Sequence, residues 1–413
     1  MAAPMPKRAR TIPALLLGAA LAALAFTGCQ RKAIEELVGS ELFALSLGKL
    51  EDQVDLFQLE GATLERKNRI YMRDGLFYLA NGNAGKIMVL SSYGDLLFLL
   101  YDPRTNPAPA ILGSVSADSG EVSTRGAVAF FFEDIGEIAV ASDKTLYVED
   151  GVAEANAVSD EPRGILLSRV VLRFDRKGKP LGYIGQEGIG GTPFPYIVGI
   201  HVTSKDQLVV VCRLPDAWQV FWYAREGELL YRTEVDGAHL PVATQEDVTS
   251  SLVSILPDLQ NPLLYLVLHS YRKTDDAATQ ALSTMEVAFS RVYRLNLRTG
   301  AYEGYVELPK NPPRKERAAL KTTEIPAPPR DVLGVSAGGF FSLLSFADPN
   351  LFALQILDPA GKLRAQRYLV IEDSELTFRD IHLSSTGIVY GLLCDSARAR
   401  VTWWRSDLLQ KGE

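Results

Sequence analysis

Short apolar stretches alternate with polar turns along most of the chain, and two of these segments are near copies. Residues 200–223 and 381–404 come into register after one single-residue gap. Three residue types match between them at separations of 181, 182 and 182 residues: His201 with His382, Cys212 with Cys394, and Trp222 with Trp404. A match of this length indicates an internal structural repeat.

Weaker copies of one strand-turn-strand pattern occur throughout the chain. In each copy an apolar strand precedes a polar turn that ends in glycine, and another strand follows, at 87–94, 171–178, 220–227, 292–300 and 354–361. Glycine supplies the positive φ that tight hairpins need. The repeated unit is therefore predicted to be a four-stranded antiparallel meander.

The pattern divides the chain into six units, at about 67–101, 135–185, 197–234, 248–308, 331–370 and 378–408. A single meander cannot bury both of its faces, so the units must stack against one another. Radial stacking of four-stranded units produces a β-propeller. The sequence predicts an all-β, six-bladed β-propeller, with seven blades as the alternative.

The last unit has room for only three strands before Glu413. The missing fourth strand is expected from residues 45–57, which would join the first and last blades and remove an open edge. The predicted propeller domain is therefore 45–413. The regions 151–162 and 309–329 are polar or rich in proline and are expected to be exposed loops.

The amino-terminal region has a different pattern. Three cations, Lys7, Arg8 and Arg10, precede eighteen uncharged residues, Thr11 to Gly28. This pattern is typical of an export signal. An uncleaved membrane anchor or an ordinary signal peptide are the alternatives.

The end of the apolar run, Phe26-Thr27-Gly28-Cys29, resembles the lipobox of bacterial lipoproteins, although Phe26 replaces the usual leucine. The resemblance implies cleavage before Cys29, acylation of its thiol, and acylation of the new amino terminus. Residues 1–28 are then a signal peptide and 29–44 a lipidated tether, and acyl chains bind the protein to the membrane. Gln30 is not the aspartate that retains lipoproteins at the inner membrane, which slightly favours the outer membrane.

Composition excludes some partners. Removal of the signal peptide changes the formal charge from −7 to −10. An acidic surface argues against nucleic acid and against charge-driven binding to anionic lipid. Abundant aromatic and β-branched residues allow a large core, and the chain is expected to be monomeric.

Residues 171–202 resemble NHL-type propellers. Residues 174–185 are similar to the hairpin that ends an NHL blade, 188–195 to the glycine-rich crossing that follows it, and 199–202 to the next strand. Together with the lipobox, the chain resembles a family of uncharacterised spirochaete lipoproteins. That resemblance implies a fold and an anchor but no activity.

Candidate chemistry is sparse. His201 and His382 occupy first strands, where propellers line their central channel, and are interpreted as channel-lining residues; Ala139 and Leu333 are their expected equivalents. Ligation of a metal or anion by this pair is weighed against simple packing, and packing is favoured. Cys212 and Cys394 are expected to be buried free thiols.

Five acidic residues near strand ends are considered as a cation site and given little weight: Asp102, Glu149, Asp150, Asp216 and Asp258. The sequence has no phosphate-binding loop, zinc-ligand spacing or nucleophile motif. We therefore expect no catalytic residues, no metal and no cofactor. The predicted function is a non-catalytic, extracytoplasmic scaffold that binds a protein or a glycan in the cell envelope. A propeller hydrolase or lactonase with a channel metal, and a scaffold in outer-membrane assembly, are the alternatives.

Overall fold

The computed structural model describes residues 35–56, 66–113, 125–242, 247–274, 284–318, 321–325, 327–348 and 350–410. The predicted signal peptide, Cys29 and the first part of the predicted tether lie outside these residues. Within the described part, no helix has the length and apolar character needed to cross a bilayer.

Six of the described sheets are arranged as the blades of a propeller, which confirms the predicted fold; they are antiparallel except for one parallel edge strand in blade 1. Each blade is described from its innermost strand outward.

Blade 1 contains Asn68–Arg73, Leu76–Asn81, Lys86–Leu90 and Leu96–Tyr101, with a fifth, parallel strand at Gly126–Ala129. Blade 2 contains Ile138–Val140, Leu146–Gly151, Arg169–Phe174 and Pro180–Gly185, with a short fifth strand at Gly188–Ile189. Blade 3 contains Tyr196–Val202, Leu208–Arg213, Ala217–Tyr223 and Leu229–Asp236. Blade 4 contains Val248–Pro257, Leu263–Thr274, Thr284–Asn296 and Tyr302–Glu307. Blade 5 contains Asp331–Val335, Phe341–Asp348, Leu351–Leu357 and Leu363–Val370. Blade 6 contains Phe378–Leu383, Val389–Cys394, Arg398–Trp404 and Ser40–Ser46.

The outermost strand of blade 6 comes from the amino-terminal side of the chain. Ser40–Ser46 pairs antiparallel with Arg398–Trp404, and Phe43 and Leu45 are buried between blades 6 and 1. The predicted position of this strand, 45–57, was wrong by several residues. The predicted tether, 29–44, also extends too far, since Leu37 N–H already donates to the Tyr368 carbonyl of blade 5 at 2.9 Å.

Two of the expected loops contain hairpins. Val158–Asp160 pairs with Ile165–Leu167, and Arg314–Ala318 pairs with Lys321–Ile325. Three short 3-10 helices complete the described elements, at Glu154–Asn156, Asp373–Glu375 and Ser406–Gln410.

The core lies between blades. In the described residues, buried apolar side chains form six clusters, each shared by two neighbouring blades. Alternate residues of one strand point to opposite faces, so Val209 packs toward blade 4 and Val210 toward blade 2. Both faces of a blade are therefore buried from solvent. This explains why the run Val209–Cys212 is apolar at every position.

Burial of both faces also explains the adjacent aromatic residues Trp222 and Tyr223. Trp222 and Tyr223 point to opposite faces, yet both are fully buried. The hydroxyl of Tyr223 donates to the Gly185 carbonyl at 2.8 Å. Cys212 and Cys394 are buried free thiols in different clusters, as predicted.

Candidate functional site

The innermost strands of the six blades enclose a central channel. Its cavity measures about 350 Å³ and is lined by residues from all six blades. Innermost strands of neighbouring blades contact one another around most of the ring. The sequence repeat places equivalent positions around this cavity, and their side chains determine its chemistry.

His201 and His382 both line the cavity. His201 lies opposite Val209 and His382 opposite Tyr390, so each is one residue from the end of its innermost strand. The same register position is Ala139 in blade 2, as expected. In blade 5 it is Gly334, and the expected equivalent, Leu333, was wrong because a β-bulge shifts the register there.

The two histidines have different surroundings. His382 Nε2 lies 2.8 Å from Asp380 Oδ2, and 37% of the His382 side chain is accessible from the channel. Burial lowers the pKa of His382, but the attraction and hydrogen bond of Asp380, with a contribution from Glu137, outweigh it and raise this pKa. His382 therefore binds a proton more readily than an ordinary histidine.

His201 has no such partner. None of the described residues forms a hydrogen bond with its imidazole. Burial, and then the charge of His382, lower the pKa of His201 to about 4. The channel therefore places a neutral imidazole near one that readily becomes charged.

A network of ion pairs connects blades 1, 2 and 3 beside the channel. Lys67 Nζ lies 2.8 Å from Glu149 Oε2 and 3.4 Å from Glu137 Oε1, and it donates to the Ile197 carbonyl at 2.7 Å. Arg169 Nε lies 3.8 Å from Glu149 Oε1. Burial raises the pKa of Glu149, while Lys67 lowers it. One ammonium group thus joins three blades.

A second set of contacts continues this network to blade 6. Arg69 Nε donates to both oxygens of Glu137 at 3.0 Å, and Arg69 Nη1 lies 3.9 Å from Asp380 Oδ1. The Ile70 backbone N–H donates to Asp380 Oδ2 at 2.9 Å. Glu137 and Asp380 therefore both make contacts that connect neighbouring blades.

Sequence reasoning missed most of this network. Lys67, Arg69, Glu137 and Asp380 lie on or beside innermost strands, but their residue types do not recur between units. The one available signal was Asp380, because it precedes the repeated histidine of blade 6 by two residues and so shares its face of the strand.

The predicted cation candidates have separate local roles. Asp102 pairs with Arg104, Asp258 accepts from the backbone N–H groups of its own turn, and Asp216 is exposed. Burial raises the pKa of Asp150 to about 7, although its carboxylate accepts backbone hydrogen bonds from residues 133 and 134. Across the described ranges, no group of three or more His, Cys, Asp or Glu residues could hold a metal ion.

A second feature lies outside the channel, on the connection from blade 1 to blade 2. Phe131 is 63% exposed, whereas its neighbours Phe130 and Phe132 pack against Phe174 with ring centroids 4.9 and 6.2 Å away. The Arg104 guanidinium lies over the Phe131 ring, 5.5 Å from the centroid. We call Phe131 and Arg104 the aromatic patch.

Hydrogen bonds to Asp102 and to the Phe132 carbonyl hold Arg104 in place. Its Nη2 lies 2.7 Å from Asp102 Oδ2 and also donates to the Phe132 carbonyl, and its Nε donates to the same carboxylate at 3.0 Å. Arg104 is therefore fixed over the Phe131 ring before any partner binds.

Comparisons with known proteins assign neither a family nor an activity to this chain. No model of a known protein family matches the chain, and no curated protein matches it. Among solved structures, a gluconolactonase from Xanthomonas campestris is 9% identical, with 82% of this chain and 85% of that chain covered and a TM-score of 0.37. The streptogramin B lyase structure is 10% identical, over 81% and 92% of the two chains, with a TM-score of 0.34. The Dos1 propeller is 12% identical, over 82% and 92%, with a TM-score of 0.33. At these identities the activities of those proteins say nothing about this one.

Proposed function

We propose that this protein is a non-catalytic binding propeller of the cell envelope, anchored to a membrane by acyl chains on Cys29. We further propose that it binds a partner protein through the aromatic patch. The observation that carries the binding role is the exposed Phe131 ring under a fixed Arg104.

Aromatic and arginine side chains dominate the energetics of protein interfaces. An anchor that is already ordered also loses less conformational entropy when it binds. Phe131 meets both conditions, since the partly buried Phe130 and the buried Phe132 flank it and three hydrogen bonds of Arg104 fix the guanidinium above it. An exposed phenylalanine beside an arginine favours a protein partner over a sugar, because both residue types are enriched at protein interfaces.

The channel network supports binding over hydrolysis. Glu137, Glu149 and Asp380 each hold a cation or an imidazole of a neighbouring residue. Such paired carboxylates stabilise the contacts between blades, whereas a propeller hydrolase needs carboxylates that converge on its substrate.

The finer assignment to NHL-type propellers rests on residues 171–202. Arg169–Phe174 and Pro180–Gly185 are the last full-length strands of blade 2, and the glycine-rich stretch 188–195 leads into blade 3. This order agrees with the expected order of hairpin, crossing and strand. The lipobox, with Gln30 after Cys29, supports anchoring on the extracytoplasmic side, at the outer membrane in preference to the inner.

The binding role is tested with a photocrosslinking residue placed at position 131 or at position 93 in cells. Tyr93 is a suitable control because it is 85% exposed and lies in a turn of blade 1 at the opposite end of the sheet. We expect one specific adduct from position 131 and none from position 93. With the adduct partner purified, Phe131→Ala should weaken binding at least tenfold, or about 1.4 kcal/mol. Equal binding by Phe131→Ala and Tyr93→Ala would refute the patch.

The anchor is tested separately. Cys29→Ala should abolish labelling with a fatty-acid analogue and block processing by the lipoprotein signal peptidase. A Cys29→Ala protein that is still labelled and processed would contradict the lipoprotein assignment without bearing on the patch.

A further inference from the structure

The channel has two chemically different walls. Blades 6, 1 and 2 contribute the charged groups, including Arg69, Glu137 and His382. Blades 3, 4 and 5 contribute mainly apolar side chains, with His201 and Ser254 as their polar groups. A cavity of about 350 Å³ lies at the lower end of the range for small-molecule sites, roughly 300–1,000 Å³. The channel is open to solvent, since Val253 is 39% exposed.

β-Bulges build the apolar wall. The innermost strands of blades 3, 4 and 5 each contain one bulge, and the extra residues are Val198, Val253 and Leu333. All three line the cavity. The innermost strands of blades 1, 2 and 6 pair without a bulge. Bulges redirect side chains and often occur beside functional sites. The three bulges therefore place apolar residues on the channel lining in three adjacent blades.

The charged wall has hydrogen-bond donors to spare, while three of the four carboxylate oxygens of Glu137 and Asp380 already have hydrogen-bond partners and the fourth, Asp380 Oδ1, lies 3.9 Å from Arg69 Nη1. Both oxygens of Glu137 accept from Arg69 Nε, and Asp380 Oδ2 accepts from Ile70 N–H and contacts His382. By contrast, no described group accepts from Arg69 Nη2. His382 uses Nε2 toward Asp380, so the Nδ1–H of its imidazolium form is also left without a described acceptor. Such a wall suits a ligand that brings acceptors.

We propose that the central channel binds a small apolar molecule that carries one carboxylate. The carboxylate accepts hydrogen bonds from His382 and Arg69, and the apolar body packs against Val198, Val253 and Leu333. This site is independent of the aromatic patch, so either proposal can fail alone.

The test titrates benzoate into the purified full chain by isothermal calorimetry. Two analogues divide the site into its parts: benzamide has the ring without the charge, and acetate has the carboxylate without the ring. We expect benzoate to bind at least tenfold more tightly than either. No heat of binding at millimolar benzoate would overturn the proposal, and so would equal binding of benzoate with benzamide or acetate.

Variants on each wall locate the ligand. His382→Gln should weaken benzoate at least tenfold, whereas His239→Gln should leave it unchanged, because His239 is an exposed histidine that pairs with Asp236 outside the channel. Val253→Asp should abolish benzoate binding by repulsion, while the uncharged, equally sized Val253→Asn should retain more of it. Val253 is accessible, so both variants should fold, as checked by melting temperature. Unchanged binding in both His382→Gln and Val253→Asp would place benzoate elsewhere and refute the site.

Discussion

Lys67 offers the sharpest test of how the ring of blades is held together. Its ammonium group contacts Glu149 and Glu137 of blade 2 and the Ile197 carbonyl of blade 3. Lys67→Met keeps much of the side-chain volume and removes the charge. The variant leaves Glu149, whose side chain is fully buried, without its nearest cation.

The magnitude follows from that burial. Removal of one partner of a buried ion pair costs about 3–5 kcal/mol, because the other charge stays buried and unpaired. Two features of the structure lower the cost: 13% of the Lys67 side chain is exposed, and Arg169 Nε lies 3.8 Å from Glu149. We therefore expect Lys67→Met to reduce the free energy of unfolding by about 3 kcal/mol at neutral pH.

The loss should depend on pH. Burial raises the pKa of Glu149 above its value in the unfolded chain, and Lys67 opposes this. A carboxyl group with a raised folded-state pKa binds more protons when folded, so its contribution to stability is greatest at low pH and falls as pH rises through that pKa. Without Lys67 the pKa rises further. The cost of Lys67→Met should therefore grow from acidic to neutral pH, by at most about 1.4 kcal/mol per pH unit.

Urea unfolding at two pH values measures both quantities. Lys144→Met is the matched control, because Lys144 also joins blades 1 and 2, through an ion pair with Asp74 at the surface, and should cost under about 1 kcal/mol. The double variant Lys67→Met/Glu149→Gln should recover more than half of the loss, since it buries no unpaired charge. Equal costs for Lys67→Met and Lys144→Met, or a cost that does not change with pH, would refute the reasoning.

Three further predictions concern closure, packing and titration. A chain that begins at Gln58 lacks the outermost strand of blade 6 and should aggregate or lose its cooperative melting transition. A chain that begins at Glu41 retains most of that strand and should melt normally. Identical melting of the two chains would contradict closure by this strand. Gly178→Ala should lower the free energy of unfolding, measured in urea, by about 1–3 kcal/mol more than Gly300→Ala. Both glycines have positive φ, but only at Gly178 would the new Cβ lie 2.5 Å from a phenylalanine ring carbon of blade 1. Burial lowers the pKa of His201 from 6.5 to about 4, so the folded chain binds fewer protons and loses stability as pH falls through this window. His201→Gln should remove on the order of 3 kcal/mol of that loss, and an unchanged pH profile would argue against a buried neutral imidazole.

Local pattern carries the repeating part of this structure. Apolar runs, polar turns and turn glycines recur in each unit, and the six predicted units agree with the six blades. Strand and turn preferences act over a few residues, so one blade's sequence is enough to specify its meander. The same repeat pointed to His201 and His382, which occupy one register position in blades 3 and 6.

The closing strand shows where local pattern stops. Residues 40–46 and 45–57 are both apolar enough to form a strand, and the choice depends on pairing with Arg398–Trp404. Burial of Trp222 together with Tyr223 is another such case. Alternation of side chains along a strand predicts one buried face and one solvent-exposed face. A blade packed between two neighbouring blades has both faces buried.

The channel chemistry is the part that only the tertiary structure decided. Asp380 accepts a hydrogen bond from Ile70, 310 residues away in the chain, and Lys67 meets Glu149 only because blades 1 and 2 lie side by side. The bulges that direct Val198, Val253 and Leu333 into the channel likewise depend on strand register. Charge pairs and bulges form between elements whose separation is set by closure of the whole ring, and no short window of sequence contains both partners.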